Sequence, residues 1–143
     1  MKDAHILLVE DNEGDIILTT EVFKTAGLRN PISVARDGEQ ALDFLYQRNQ
    51  FAGTERPDLI LMDINLPKIN GKEILAIIKK DDELKTIPVI MLTTSSADSD
   101  VLDSYRNHAN CFITKPLSFN DFTEAVAEIK KFWFYLATIP SNK

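Results

Sequence analysis

Cysteine is almost absent from this chain. Cys111 stands alone, so no intrachain disulfide can form and a cysteine-rich metal site is excluded. Its expected place is the interior, as a small hydrophobe. Long apolar runs are missing as well: no stretch approaches the roughly 20 residues that cross a bilayer. The opening Met1-Lys2-Asp3-Ala4-His5 carries no signal-peptide pattern, so a cytoplasmic protein is expected. Positive charge is in deficit, with Lys+Arg 16 against Asp+Glu 22 and a formal net charge of −6. Such a surface repels nucleic-acid backbones and acidic membranes, so neither is an expected partner. No G-x-G-x-x-G turn follows the first apolar run, which removes a dinucleotide-binding enzyme. Internal repeats and low-complexity tracts are also lacking. What remains is an ordinary globular composition, 44% hydrophobic and 27% charged, in 143 residues, enough for one core and one domain.

Five short apolar runs alternate with amphipathic segments. Ile6-Leu7-Leu8-Val9 is followed by Glu10-Asp11-Asn12 and a helical pattern from about Asp15 to Ala26. That helix is expected to bury Ile16, Leu18, Val22 and Phe23 and to end at Gly27, a left-handed cap. A weaker strand, Ile32 to Ala35, leads through Arg36-Asp37-Gly38 into a helix bearing Ala41, Leu42, Phe44 and Leu45. Arg48 to Pro57 reads as a loop. Leu59-Ile60-Leu61-Met62, apolar on both faces like a central parallel strand, ends at Asp63. A loop with Pro67 and Gly71 then precedes a helix carrying Ile74, Leu75, Ile77 and Ile78. The fourth strand, Val89 to Leu92, runs into Thr93-Thr94-Ser95-Ser96 and a more polar helix from about Ala97 to Asn107. The fifth, Cys111 to Thr114, meets Lys115-Pro116, and a last long helix starts near Ser118, an N-cap reinforced by Asp121.

Strand then helix, five times over with short connections, implies an α/β fold: a doubly wound, five-stranded parallel sheet with helices on both faces. Sites in such sheets lie beyond the carboxyl ends of the strands. Glu10-Asp11, Asp63, Thr93 and Lys115 all stand at such ends. Three carboxylates brought together there repel one another, by on the order of 1 to 4 kcal/mol per pair at ~4 Å. Either a proton or a divalent cation must sit among them. Oxygen-only ligands select a hard ion, Mg²⁺ over Zn²⁺, and a partial cage leaves positions for water and a phosphate oxygen. A carboxylate can attack phosphorus and form an acyl phosphate. The Lys115 ammonium and the Thr93 hydroxyl can hold the other oxygens, and Pro116 stiffens the turn that aims Lys115.

Each residue alone has an ordinary explanation: a solvated lysine, a threonine that caps a helix, an acidic pair that complements a helix dipole. Their coincidence at four of five strand ends favours the site.

The motifs Ile6-Leu7-Leu8-Val9-Glu10-Asp11-Asn12, Asp58-Leu59-Ile60-Leu61-Met62-Asp63-Ile64-Asn65-Leu66-Pro67, Val89-Ile90-Met91-Leu92-Thr93-Thr94 and Lys115-Pro116 resemble the receiver domain of two-component response regulators. Glu10-Asp11-Asn12-Glu13-Gly14-Asp15, Asn107-His108-Ala109-Asn110-Cys111 and Phe132-Trp133 resemble its stand-alone, cyanobacterial phytochrome-partner subfamily. The resemblance implies a flavodoxin-like receiver fold of strand order 2-1-3-4-5 flanked by five helices. It implies Asp63 as phosphoacceptor, and Glu10, Asp11, Asp63 and the Asn65 backbone carbonyl as Mg²⁺ ligands. Lys115 and Thr93 assist, and Thr93 and Phe112 form the switch. The implied partner is a sensor histidine kinase, of phytochrome type in the closer subfamily, docking beside the first helix and the loop after the fifth strand. Phosphorylation would remodel the face around the fourth helix and fifth strand. The chain would be no enzyme beyond its own phosphotransfer and slow dephosphorylation.

Phe132, Trp133, Phe134, Tyr135, Leu136 and Ile139 put apolar groups around too much of a helix for one stripe. A homodimer through a C-terminal extension at about 130–140 is therefore expected. Two other classes fit less well. A haloacid-dehalogenase-type phosphatase would want an Asp where Asn65 stands. A degenerate receiver, acting as a phosphorylation-independent binding module, would lack Asp63, Lys115 or the acidic pair, and none is missing.

Overall fold

Ile6, Leu7, Leu8 and Val9 are all buried, which a strand achieves only when both of its faces are covered. In the computed structural model this run is β1 (Ile6–Val9), joined by β2 (Ile32–Ala35), β3 (Leu59–Asp63), β4 (Val89–Thr93) and β5 (Cys111–Thr114). The structure describes residues 5–25, 31–93, 111–114, 120, 123, 124 and 127. All four strand pairings are parallel, in the order β2-β1-β3-β4-β5 expected from the resemblance. β2 lies at one edge and is only partly buried, which is why its apolar signal is the weaker one.

Ahead of β4, three helices lie among the described residues: α1 (Glu13–Thr25), α2 (Gly38–Leu45) and α3 (Gly71–Lys80). Alternate strand residues face opposite sides of the sheet. Leu7, Val9, Ile60, Met62, Val89 and Met91 pack with α2 and α3, while Ile6, Leu8, Leu59, Leu61, Ile90 and Leu92 pack with α1. The sheet is thus doubly wound.

Two details of α1 correct the sequence reading. α1 begins at Glu13 rather than Asp15, because Asn12 Oδ1 accepts from the Asp15 amide at 3.0 Å and caps the helix earlier. Its buried face takes Thr19 in place of Leu18, which is only half-buried; the Thr19 hydroxyl donates to the Asp15 carbonyl at 2.7 Å, so nothing polar is stranded. Of the four apolar residues expected on α3, Ile74, Leu75 and Ile78 are buried and Ile77 is 38% exposed. The Gly27 cap, Thr94 to Ser96, the helix over 97–107, Lys115-Pro116, the Ser118 cap and residues from 128 onward lie outside the described residues. Asn120, Thr123, Glu124 and Ala127 are helical, within the last helix expected from Ser118.

The Arg48–Pro57 loop contains one 3₁₀ turn, Asn49–Phe51. It is held by Asp43, whose oxygens accept from Arg48 Nε at 2.8 Å and Asn49 Nδ2 at 3.1 Å. The Arg48 bond first, then Asn49, keeps the Asp43 carboxyl below its ordinary 3.8. Asp81 at the end of α3 accepts from the Tyr46 hydroxyl at 2.8 Å, and that bond holds it low too. The folded protein binds these two protons less readily than the unfolded chain does. Both carboxylates therefore contribute stability that is full above about pH 4 and is lost as pH falls through the lowered folded values. Urea midpoints should drop as pH falls below about 4, and less steeply in Asp43→Asn. An equal slope in the variant would remove Asp43 from this role.

Candidate functional site

The register of the sheet builds the site. Val9 stands opposite Met62, so one step further the chain places Glu10 beside Asp63. The Glu10 amide donates to the Ala35 carbonyl at 2.9 Å, so its backbone still runs with the sheet after β1 has ended. Asp63 is the last residue of β3, opposite Leu92, and the Ile64 amide donates to the Leu92 carbonyl at 2.9 Å. One carboxylate oxygen from each of Glu10, Asp11 and Asp63 lies within 4.8 Å of the other two. Among the described residues this is the one such group of possible metal ligands.

Burial grades across the group. Glu10 is 1% exposed, Asp63 is 6% exposed, and Asp11 is at the surface. A carboxylate at Glu10's depth is not a solvated complement to the α1 dipole, so the ordinary explanation of that residue fails. Asp63 Oδ1 accepts from the Asn65 amide at 3.1 Å, which orients the carboxyl, and Asn65 itself is exposed. An octahedral ion with ligand bonds of ~2.1 Å spans oxygens ~3 to ~4.2 Å apart. The three oxygens, within 4.8 Å of one another, stand close to that span, and Asp11 is at the surface. The donor set is all oxygen, which fits a hard divalent cation.

The loop after Asp63 is drawn tight. The Gly71 amide donates to the Ile64 carbonyl at 2.8 Å. A Cβ at Gly71 would fall inside van der Waals contact with the Asp63 carbonyl oxygen and 2.8 Å from Ile64 Cα. Asn70 caps α3, accepting from the Glu73 amide at 3.0 Å and donating to the Glu73 carboxylate at 2.9 Å. On the rim, Arg36 at the end of β2 pairs with Glu13 at the start of α1. Lys68 reaches Asp37 at 3.5 Å and Glu39 at 3.3 Å.

Thr93 closes β4 opposite Thr114, and Phe112 stands opposite Met91. Their side chains, like Lys115 entirely, lie outside what the structure describes. The structure thus brings together Glu10, Asp11, Asp63 and Asn65. Sequence reasoning missed the roles of Asn12, Lys68 and Gly71. A capping residue directly after the acidic pair and a glycine at a helix start were the available signals; Lys68 offered none.

Comparison with known proteins agrees with this geometry. The family described as the response regulator receiver domain matches residues 6–127. The response regulator Rcp1 of Synechocystis sp. is 44% identical over 136 residues, 95% of this chain and 92% of that protein. The crystal structure of the phosphorylated cyanobacterial phytochrome response regulator RcpA superposes with a TM-score of 0.90 at 43% identity, covering 98% of this chain and 100% of that one. The Mn²⁺-bound form of Rcp1 does so at 0.87 and 43%, covering 96% and 99%. No helix among the described residues is long and apolar enough to cross a membrane.

Proposed function

The chain belongs to the response regulator receiver domain family, and on that premise we propose that Asp63 is its phosphoacceptor, loaded by a sensor histidine kinase of phytochrome type. The observation that carries this is the convergence of Glu10, Asp11 and Asp63 within 4.8 Å at the carboxyl edge of the sheet. An Asp63 oxygen attacks the phosphorus of the donor. The carboxyl–phosphorus bond forms as the donor's phosphorus–nitrogen bond breaks, and the imidazole leaves with the electron pair. A divalent ion, Mg²⁺ in this reading, supplies charge neutralisation when bound by Glu10, Asp11, Asp63 and the Asn65 carbonyl. Lys115 and Thr93 hold the phosphoryl oxygens. The new charge draws Thr93 inward, Phe112 follows, and the face around the fourth helix and β5 changes. Similarity to regulators whose names carry the word phytochrome supports the kinase assignment. A degenerate receiver is disfavoured, because every acidic residue of the motif is present and converges.

The test is incubation with Mg²⁺ and acetyl phosphate followed by intact mass. One added phosphoryl group is expected, and none in the presence of a chelator. No gain under either condition would overturn the assignment.

We propose as well a homodimer through a C-terminal helical extension of this single domain, on the strength of the apolar residues Phe132 to Ile139. Sedimentation at micromolar concentration should give a dimer. A clean monomer with and without acetyl phosphate would remove it.

A further inference from the structure

The loop between β3 and α3 is fastened at three places. Its start is tied to the last residue of β3, through the Asn65 amide to Asp63 Oδ1 at 3.1 Å, and its two ends are closed on each other by the Gly71 amide to the Ile64 carbonyl at 2.8 Å. At its middle it is tied to α2. The Gly38 amide points to the Pro67 carbonyl at 3.5 Å, and Gly38 lies so close to Ile69 that a Cβ there would sit 2.7 Å from the Ile69 Cβ.

Between those two loop residues stands Lys68, with φ of 68°. A side-chain-bearing residue in the left-handed region costs about 1 to 2 kcal/mol, so its surroundings must hold it there. The ammonium has two partners on one short segment, Glu39 at 3.3 Å and Asp37 at 3.5 Å. Glu39 first, then Asp37, holds Lys68 above its ordinary range. Asp37 is itself fixed, because it caps α2 by accepting from the Gln40 amide at 2.7 Å.

We propose that Lys68 is a positioning residue of the acceptor site: through Asp37 and Glu39 its ammonium fastens the 64–70 loop to the start of α2, and so steadies the strand end that presents Asp63 and Asn65. The inference rests on the reading of Asp63 as acceptor. Lys68 does not touch the ion or the phosphoryl group in it. Its part is to keep the loop from drifting, and it places a control point for the site on α2, which packs against β2 at the opposite edge of the sheet from β5.

Two measurements test this: Mn²⁺ binding, read from the free-ion paramagnetic resonance signal, and the rate of phosphoryl uptake from acetyl phosphate with Mg²⁺. Each is made at low and high salt. Lys68→Ala should weaken ion binding and slow uptake about threefold to fivefold, the scale of an exposed ion-pair network. Lys68→Arg should retain both. Lys68→Gly relieves the backbone but removes the charge, and it should lose as much as Lys68→Ala. Glu39→Gln should lose part of the effect. Exposed pairs are screened, so wild type and Lys68→Ala should converge at about 1 M salt. Wild-type behaviour in Lys68→Ala at low salt, or recovery in Lys68→Gly, overturns the proposal while leaving the acceptor reading standing. A wild type that binds no ion and takes up no phosphoryl group overturns both.

Discussion

Asp63→Asn should gain no phosphoryl group under conditions in which the wild type gains one. The substitution keeps the size of the side chain and an Oδ1 that can still accept from the Asn65 amide, a contact of 3.1 Å in the wild type. What it removes is the anionic nucleophile, and an amide oxygen does not form a stable bond to phosphorus. The residue is 6% exposed at the end of β3, so a donor reaches it only over the strand ends, where Asp11 lies at the surface. The variant also removes one of three charges lying within 4.8 Å. Each close pair costs on the order of 1 to 4 kcal/mol without a cation, so the urea midpoint in a chelator should rise or stay level. Loss of uptake with such a midpoint locates the chemistry at Asp63. Retained uptake would move the acceptor elsewhere, and a collapsed midpoint would mean the fold had failed instead.

The sheet could be read from the sequence because parallel strands buried on both faces are continuous apolar runs. The first, second and fifth strands match their expected bounds, and Asp63 and Thr93 prove to be the last residues of β3 and β4. The acidic cluster was legible for the same reason: once strand ends are known, the topology alone brings them to one edge. Helix faces were less legible, since an apolar letter does not say where on the wheel it falls. At about 100° per residue, Ile74, Leu75, Ile78 and Gly71 share one arc of α3, and Ile77 lies outside it. In α1, Thr19 sits inside the arc formed by Ile16, Val22 and Phe23, and Leu18 falls at its edge. The contact between the 64–70 loop and the start of α2 could not be read at all. Lys68 is separated from Asp37 and Glu39 by about thirty positions, and an exposed lysine in a loop carries no periodicity to betray a partner.

Gly71→Ala should damage both the fold and the site. Gly71 reads in the sequence as a loop glycine, yet it is the first residue of α3, pressed against the end of β3. The atoms an added methyl would meet, the Asp63 carbonyl oxygen and Ile64 Cα, are backbone and cannot swing away. Either α3 retreats, breaking the 2.8 Å bond from the Gly71 amide to the Ile64 carbonyl, or the strand end moves and takes Asp63 with it. Overpacking of this kind costs about 1 to 3 kcal/mol. A misplacement of ~1 Å in a reacting group can cost on the order of 100-fold in rate. Phosphoryl uptake from acetyl phosphate should therefore fall much further than the urea midpoint does. Gly53→Ala is the control: its φ of 87° strains an alanine, but nothing lies within 4 Å of the added Cβ. That variant should lose about 1 kcal/mol of stability or slightly more and keep its uptake rate. Equal uptake in wild type and Gly71→Ala would show that the close approach of α3 to β3 packs the domain without aiming the Asp63 carboxylate.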